Sequence, residues 1–144
     1  MKGFAVTVLL LVLVACAKGG NGSAAASASS SAEANNPASA SDGAIVYRTN
    51  CSSCHQADGK GLRGAFPPLA ANPVVTGNPT AVIAIVKNGL EGRVVVNGVA
   101  YSGIMPHWGG VLSDQQIAAA ITYIRSSWHN LAPGVSLAQV QAIK

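Results

Sequence analysis

Apolar and polar positions follow several rhythms along this chain, and each predicts a different element. Residues 3–15 are an almost unbroken apolar run, interrupted only by Thr7 and preceded by Lys2. The run is shorter than the roughly 20 residues a spanning helix needs, and one charge ahead of it suits the core of an export signal over residues 1–15. Residues 17–41 are mostly Gly, Ser, Ala and Asn, with almost nothing to bury, so residues 16–41 read as a disordered tether. From Asp42, a plausible N-cap, the pattern turns helical, with Gly43, Tyr47 and Cys51 on one face. Asn78-Pro79 reads as an N-cap and N1 proline before the apolar residues 82–86, and Asn88-Gly89 closes that helix. Residues 94–101 alternate around Asn97-Gly98, the signature of a hairpin with a type I′ turn. Ser113-Asp114-Gln115-Gln116 is a capping box, and it opens a helix with Ile117, Ile121, Ile124 and Trp128 on one stripe. Pro133-Gly134 breaks the chain, and Ser136 to Gln139 can cap a last short turn. The expected fold is all-α with one small hairpin, a domain over about residues 42–131 and a C-terminal tail over 132–144.

Composition narrows the picture. In 144 residues, one domain is the default, and a multi-domain enzyme does not fit. The single long apolar run excludes a polytopic membrane protein. Nine Lys and Arg against five Asp and Glu give a net charge of +4, but the cations are spread singly, so no basic run is available to grip nucleic acid. Aromatic residues make up only 5% of the chain, few for the core of a small domain. Something besides side chains is expected to fill its centre.

Candidate chemistry lies at Cys51-Ser52-Ser53-Cys54-His55. The spacing C-x-x-C-H reads as a c-type haem attachment site. Two thiols three residues apart on a helical turn can add to the two vinyl groups of one haem, and the His that follows comes up beneath the iron. Other readings of the same residues stay open on spacing alone. A thioredoxin-like pair also uses C-x-x-C but wants a βαβ setting. A zinc site would have to recruit His107 and His129, and a local disulfide suits an exported protein. Export favours haem, because c-type haem is attached outside the bacterial cytoplasm. The leader ends Leu13-Val14-Ala15-Cys16, which resembles a bacterial lipobox. In lipoproteins the thiol at the position of Cys16 takes a diacylglyceryl group and the chain is cut before it. Several acyl chains, at about 0.8 kcal/mol per buried methylene, make a durable anchor. An ordinary cleaved signal or an uncleaved anchor are the alternatives.

The flanking residues extend the haem reading. Gly43, Tyr47 and the C-x-x-C-H run, followed by Gly59-Lys60-Gly61 and Phe66-Pro67-Pro68-Leu69-Ala70, resemble class I cytochromes c. So do residues 97–106, ending Gly103-Ile104-Met105-Pro106, and residues 121–128. This ending is similar to the haem domains of membrane dehydrogenases, copper nitrite reductases and oxidases. The resemblance implies a cytochrome c fold around one covalently bound haem c. By position, Cys51 and Cys54 match the thioether cysteines, His55 the proximal ligand and Met105 the distal ligand. Met105 is also the only Met left after removal of the leader. A carbonyl in the turn Phe66-Pro67-Pro68, with Pro67 favoured, would accept the second ring N–H of His55 and fix its tautomer. Gly43 and Tyr47 should cross the last helix near Tyr123 and Ile124. Leu69, Val82, Ile85 and Ile104 would surround the haem. His107 and His129 are expected at the surface, and Lys60, Arg63, Lys87 and Arg93 as a solvated scatter rather than a collar for an acidic partner.

With both axial positions filled, the resemblance implies a one-electron carrier rather than an enzyme, and a soft thioether favours Fe(II). The expectation is a lipid-anchored monohaem carrier facing the periplasm, a monomer unless an enzyme subunit, with redox proteins as partners and no nucleic acid. One alternative is a dedicated electron-transfer subunit of a dehydrogenase, nitrite reductase or terminal oxidase. Another is a haem sensor or peroxidase-like protein whose Met105 lets go.

Overall fold

A computed structural model describes residues 39–144. Cys16, the leader and all but the end of the tether lie outside the described residues. The elements, in chain order, are α1 (Ala40–Asn50), α2 (Ser52–His55), α3 (Pro73–Thr76), α4 (Pro79–Asn88), β1 (Val94–Val96), β2 (Val99–Tyr101), α5 (Asp114–Ser126) and α6 (Leu137–Gln141). The two strands form one antiparallel pair, Val94 opposite Tyr101 and Val96 opposite Val99.

Local signals account for most of these boundaries. Asn78 Oδ1 accepts the Thr80 N–H at 2.9 Å, which caps α4 ahead of Pro79. Asn97 and Gly98 have φ of 50° and 78°, as a type I′ turn requires. The capping box of α5 is closed in both directions: Gln116 N–H donates to Ser113 Oγ at 3.2 Å, and Ser113 N–H to Gln116 Oε1 at 2.9 Å.

Four boundaries or placements differ from the sequence reading. First, α1 begins at Ala40, because Gly43 N–H already donates to Ser39 O at 3.1 Å. Asp42 therefore sits inside the first turn, where its carboxylate favours the positive end of the helix. Second, α5 stops at Ser126, and Trp128 leaves the stripe with φ 52°. The free carbonyls of the last turn find other donors: Ser127 Oγ bonds Tyr123 O at 2.7 Å, Asn130 Nδ2 bonds Ile124 O at 2.8 Å, and Ala132 N–H bonds Arg125 O at 3.1 Å. Third, the segment after residue 131 is not a tail. Val135 and Val140 are fully buried and join Ile83, Ile117 and Ile121 in the main apolar cluster. Fourth, Lys87 is no part of a solvated scatter. Its Nζ donates to Ile143 O at 2.6 Å and Val140 O at 3.2 Å and pairs with Asp114 at 3.4 Å, which fastens the C-terminal segment to α4. Lys60, Arg63 and Arg93 are exposed.

The core is organised by α5. Its run Ala118, Ala119 and Ala120 is buried and small, so α1 crosses very close. A Cβ on Gly43 would overlap the Ala119 carbonyl and lie 2.8 Å from Tyr123 Cβ, so only glycine permits this crossing. Beyond it Tyr47, Tyr123 and Trp128 make a three-ring cluster with centroids 5.0 to 5.6 Å apart. Arg125, only 3% exposed, ties three segments together: Nε donates to Pro133 O at 2.6 Å, and Nη1 to Val75 O at 2.5 Å and Gly77 O at 3.0 Å. Burial draws its pKa below the usual guanidinium value.

Candidate cofactor site

The Cys51–His55 stretch is set by the end of α1. Cys51 N–H donates to Tyr47 O at 2.9 Å, and Cys54 and His55 N–H return to Cys51 O at 3.2 and 3.0 Å. One compact turn therefore carries both thiols and the imidazole, and all three line a single cavity of about 380 Å³. Such a volume is in the usual range for a small-molecule or cofactor site. Both cysteines are free and partly buried. Burial, and secondarily Cys54, push the Cys51 thiol up to about 11, so it keeps its proton at neutral pH.

His55 is 7% exposed, and its Nδ1 lies 2.9 Å from Pro67 O. With Nδ1–H donating to that carbonyl, Nε2 is left as the ring nitrogen able to act as a ligand. Burial lowers the His55 pKa and outweighs the opposing pull of the carbonyl, so the ring is neutral at neutral pH. The loop bringing Pro67 to it is strapped by its own backbone. Gly61 N–H bonds His55 O at 3.0 Å, Leu62 and Phe66 exchange bonds at 2.8 and 2.7 Å, and Leu69 N–H bonds Gly59 O at 2.7 Å. Asn72 Nδ2 adds a bond to Pro68 O at 2.7 Å.

Met105 is partly buried and lines the same cavity, as do Leu69, Val82, Ile85 and Ile104. Ile104 is 69% exposed, so the rim is apolar as well as the walls. The predicted donors thus come together in one place. His107 and His129 do not join them; both are exposed. Among the described residues, no three His, Cys, Asp or Glu side chains form a metal-binding group, which leaves the zinc reading without a donor set. The C-x-x-C pair spans the junction of α1 and α2 with no strand beside it rather than a βαβ unit, so the thioredoxin setting is missing among the described residues.

Sequence reasoning missed the residues that support the site from outside. Asn130, 2% exposed, accepts Ala71 N–H at 3.0 Å and donates to Leu69 O at 3.0 Å. Asn72 caps α3, and here a signal existed: Asn72-Pro73 repeats the Asn78-Pro79 pattern. Leu90 pairs with Met105 as an isolated antiparallel bridge, for which nothing local speaks.

The donor set fits a covalently held haem. Two adjacent free thiols, a neutral imidazole with one nitrogen engaged, a thioether and apolar walls are what such a group needs.

Comparison with known proteins agrees. Residues 38–124 match the family described as Cytochrome C oxidase, cbb3-type, subunit III. The chain is 40% identical over 114 residues to the cytochrome c subunit of the quinone alcohol dehydrogenase of Gluconacetobacter polyoxogenes, covering 77% of this chain and 24% of that one. It is 37% identical over 92 residues to cytochrome c-552 of Thermus thermophilus, covering 61% of this chain and 69% of the relative. Similarity to the cbb3-type cytochrome c oxidase subunit CcoP of Azospirillum brasilense is 30% over 106 residues, covering 70% and 31%. The chain spans about a quarter of the length of the alcohol dehydrogenase subunits it matches. A match across most of the folded region, shared with proteins named as cytochromes c, establishes that the chain belongs to the Cytochrome C oxidase, cbb3-type, subunit III family, and so to the cytochromes c, which carry covalently bound haem c.

Proposed function

We propose that this protein is a monohaem electron carrier in which His55 and Met105 would both hold the haem iron. The observation that carries the reading is one apolar cavity lined by Cys51, Cys54, His55 and Met105 together. Cys51 and Cys54 would hold the group through thioethers, and His55 and Met105 would bind its iron. Bound there, haem c supplies a one-electron Fe(III)/Fe(II) couple, whose potential a thioether ligand raises. The Pro67 carbonyl fixes the His55 tautomer and strengthens it as a donor. Leu69, Val82 and Ile85 exclude water, which disfavours the additional charge of the oxidised state. Exposed Ile104 at the rim offers an apolar patch for brief contact with a redox partner. In this reading the leader directs export, Cys16 carries the lipid, and the Gly/Ser/Ala-rich stretch lets a monomeric domain roam beside the membrane it is anchored to. No helix among the described residues is long and apolar enough to cross a membrane.

A second reading has specific support. Relatives named as cytochrome c subunits of alcohol and gluconate dehydrogenases, and as the cytochrome subunit of a fructose dehydrogenase, favour a dedicated electron-transfer part of a larger enzyme. Stable co-purification with a larger chain would select it.

The test is the optical spectrum of the mature protein, oxidised and reduced, with and without carbon monoxide. A c-type spectrum indifferent to carbon monoxide is expected. Met105→Ala should keep the haem attached, bind carbon monoxide and lower the potential. An unchanged spectrum and potential in that variant would remove Met105 as a ligand, and a rapid response of the unaltered protein would favour a sensor or peroxidase.

A further inference from the structure

The segment that carries Met105 is laid along the C-terminal end of α4 by backbone bonds. Leu90 N–H donates to Met105 O at 3.0 Å, and Met105 N–H donates to Leu90 O at 2.9 Å. Farther along, Trp108 N–H donates to Val86 O and Gly109 N–H to Lys87 O, both at 3.0 Å. Val86 and Lys87 belong to the last turn of α4, whose carbonyls have no partner within the helix. The Met105 segment is therefore the cap of α4, and the end of α4 is the support of Met105.

Two glycines allow this approach. Gly89 has φ 78°, and a Cβ on it would stand 2.7 Å from Met105 O and 3.0 Å from His107 N. A Cβ on Gly109 would stand 2.9 Å from Lys87 O. All of these neighbours are backbone atoms, which cannot swing aside as a side chain does.

We infer that Gly89 and Leu90 are positioning residues for Met105: the four-bond clamp at the end of α4 sets how readily the thioether leaves its place. The inference rests on the reading of Met105 as the distal ligand. Moving Met105 far enough to admit another ligand means opening the bonds to Leu90 and displacing the cap of α4. Entry of an exogenous ligand then reports on the clamp, not only on the sulfur.

Two substitutions separate the clamp from simple strain. Gly98 has φ 78°, with nothing within 4 Å of its would-be Cβ, so Gly98→Ala imposes a positive-φ cost without pressing on the Met105 segment. Gly109 has no positive φ, so Gly109→Ala presses on Lys87 O without that cost. The measurement is imidazole binding to the oxidised holoprotein, alongside the denaturation midpoint. Gly109→Ala should bind imidazole about tenfold more readily than Gly98→Ala, the equivalent of losing about one backbone hydrogen bond. Gly89→Ala should shift binding in the same direction, with an added backbone cost because Gly89 has ψ −177°. Equal binding by the Gly109 and Gly98 variants overturns the inference.

Hydrogen exchange on the unaltered holoprotein decides the matter even if a variant fails to fold. The amides of Leu90, Met105, Trp108 and Gly109 should be protected together and open as one set. Exchange of the Leu90 and Met105 amides at open-loop rates overturns the clamp. Met105→Ala holoprotein keeps the two failures apart. If it binds imidazole no better than the unaltered protein, the ligand assignment falls and the clamp with it. If it binds readily while the Gly109 and Gly98 variants agree with each other, only the clamp falls.

Discussion

At the scale of single residues, His55 shows how burial keeps an imidazole neutral. An imidazole at 7% exposure is held neutral by desolvation, and its one engaged nitrogen leaves the other free to donate. The same arrangement has a consequence for stability. Folding lowers the His55 pKa from its ordinary value of 6.5, so above that value both folded and unfolded forms are neutral and the full stability is present. As pH falls below 6.5, the unfolded chain takes up a proton that the folded protein still refuses, and stability declines through the lowered folded value. The proposed ligation of iron would work in the same direction, since a proton and a metal compete for Nε2. The denaturant midpoint should therefore be lower at pH 5 than at pH 7.5. A midpoint that rises on acidification would contradict this account of His55.

Among the elements, the contact of α1 with α5 is the tightest, because it is made backbone to backbone at Gly43 and Ala119. Gly43→Ala should destabilise by at least the 1–3 kcal/mol typical of overpacking, read as a lower thermal midpoint, since the atom in the way is a helix carbonyl. An unchanged midpoint would mean that the two helices can slide apart at no cost. Elements whose cause is local were legible in the chain: the Asn78-Pro79 start of α4, the Asn97-Gly98 turn and the Ser113 box each need only neighbours within four residues. The C-x-x-C-H run was legible for a different reason, since haem attachment requires particular side chains, and Met105 lines the cavity where it was expected. What escaped notice depends on partners far off in sequence. Trp128 turns away from the helical stripe to pack on Tyr47 and Tyr123, and Leu90 pairs with Met105 fifteen positions on. Val135 looks like loop until α4 and α5 are in place to cover it.

On the scale of the whole molecule, residues 135–144 are structural. Val135 and Val140 are fully buried, and Lys87 holds the carbonyls of Val140 and Ile143. At about 1.5–3 kcal/mol for each fully buried apolar side chain, a chain ending at Gly134 should lose about 3–6 kcal/mol of stability. Its unfolding midpoint should drop accordingly, and a midpoint equal to that of the full chain would return the segment to a passive tail. The crossing of α1 on α5 also fixes a sequence of events. A chain appearing from its N-terminus presents Cys51, Cys54 and His55 well before Asp114–Ser126 exists to cover the helix that carries them. Until then α1 has no partner to dock on and the thiol pair hangs on an unfinished, open scaffold. The connectivity thus provides an interval in which a bulky planar group can be fitted from outside, and the last helices close the door behind it.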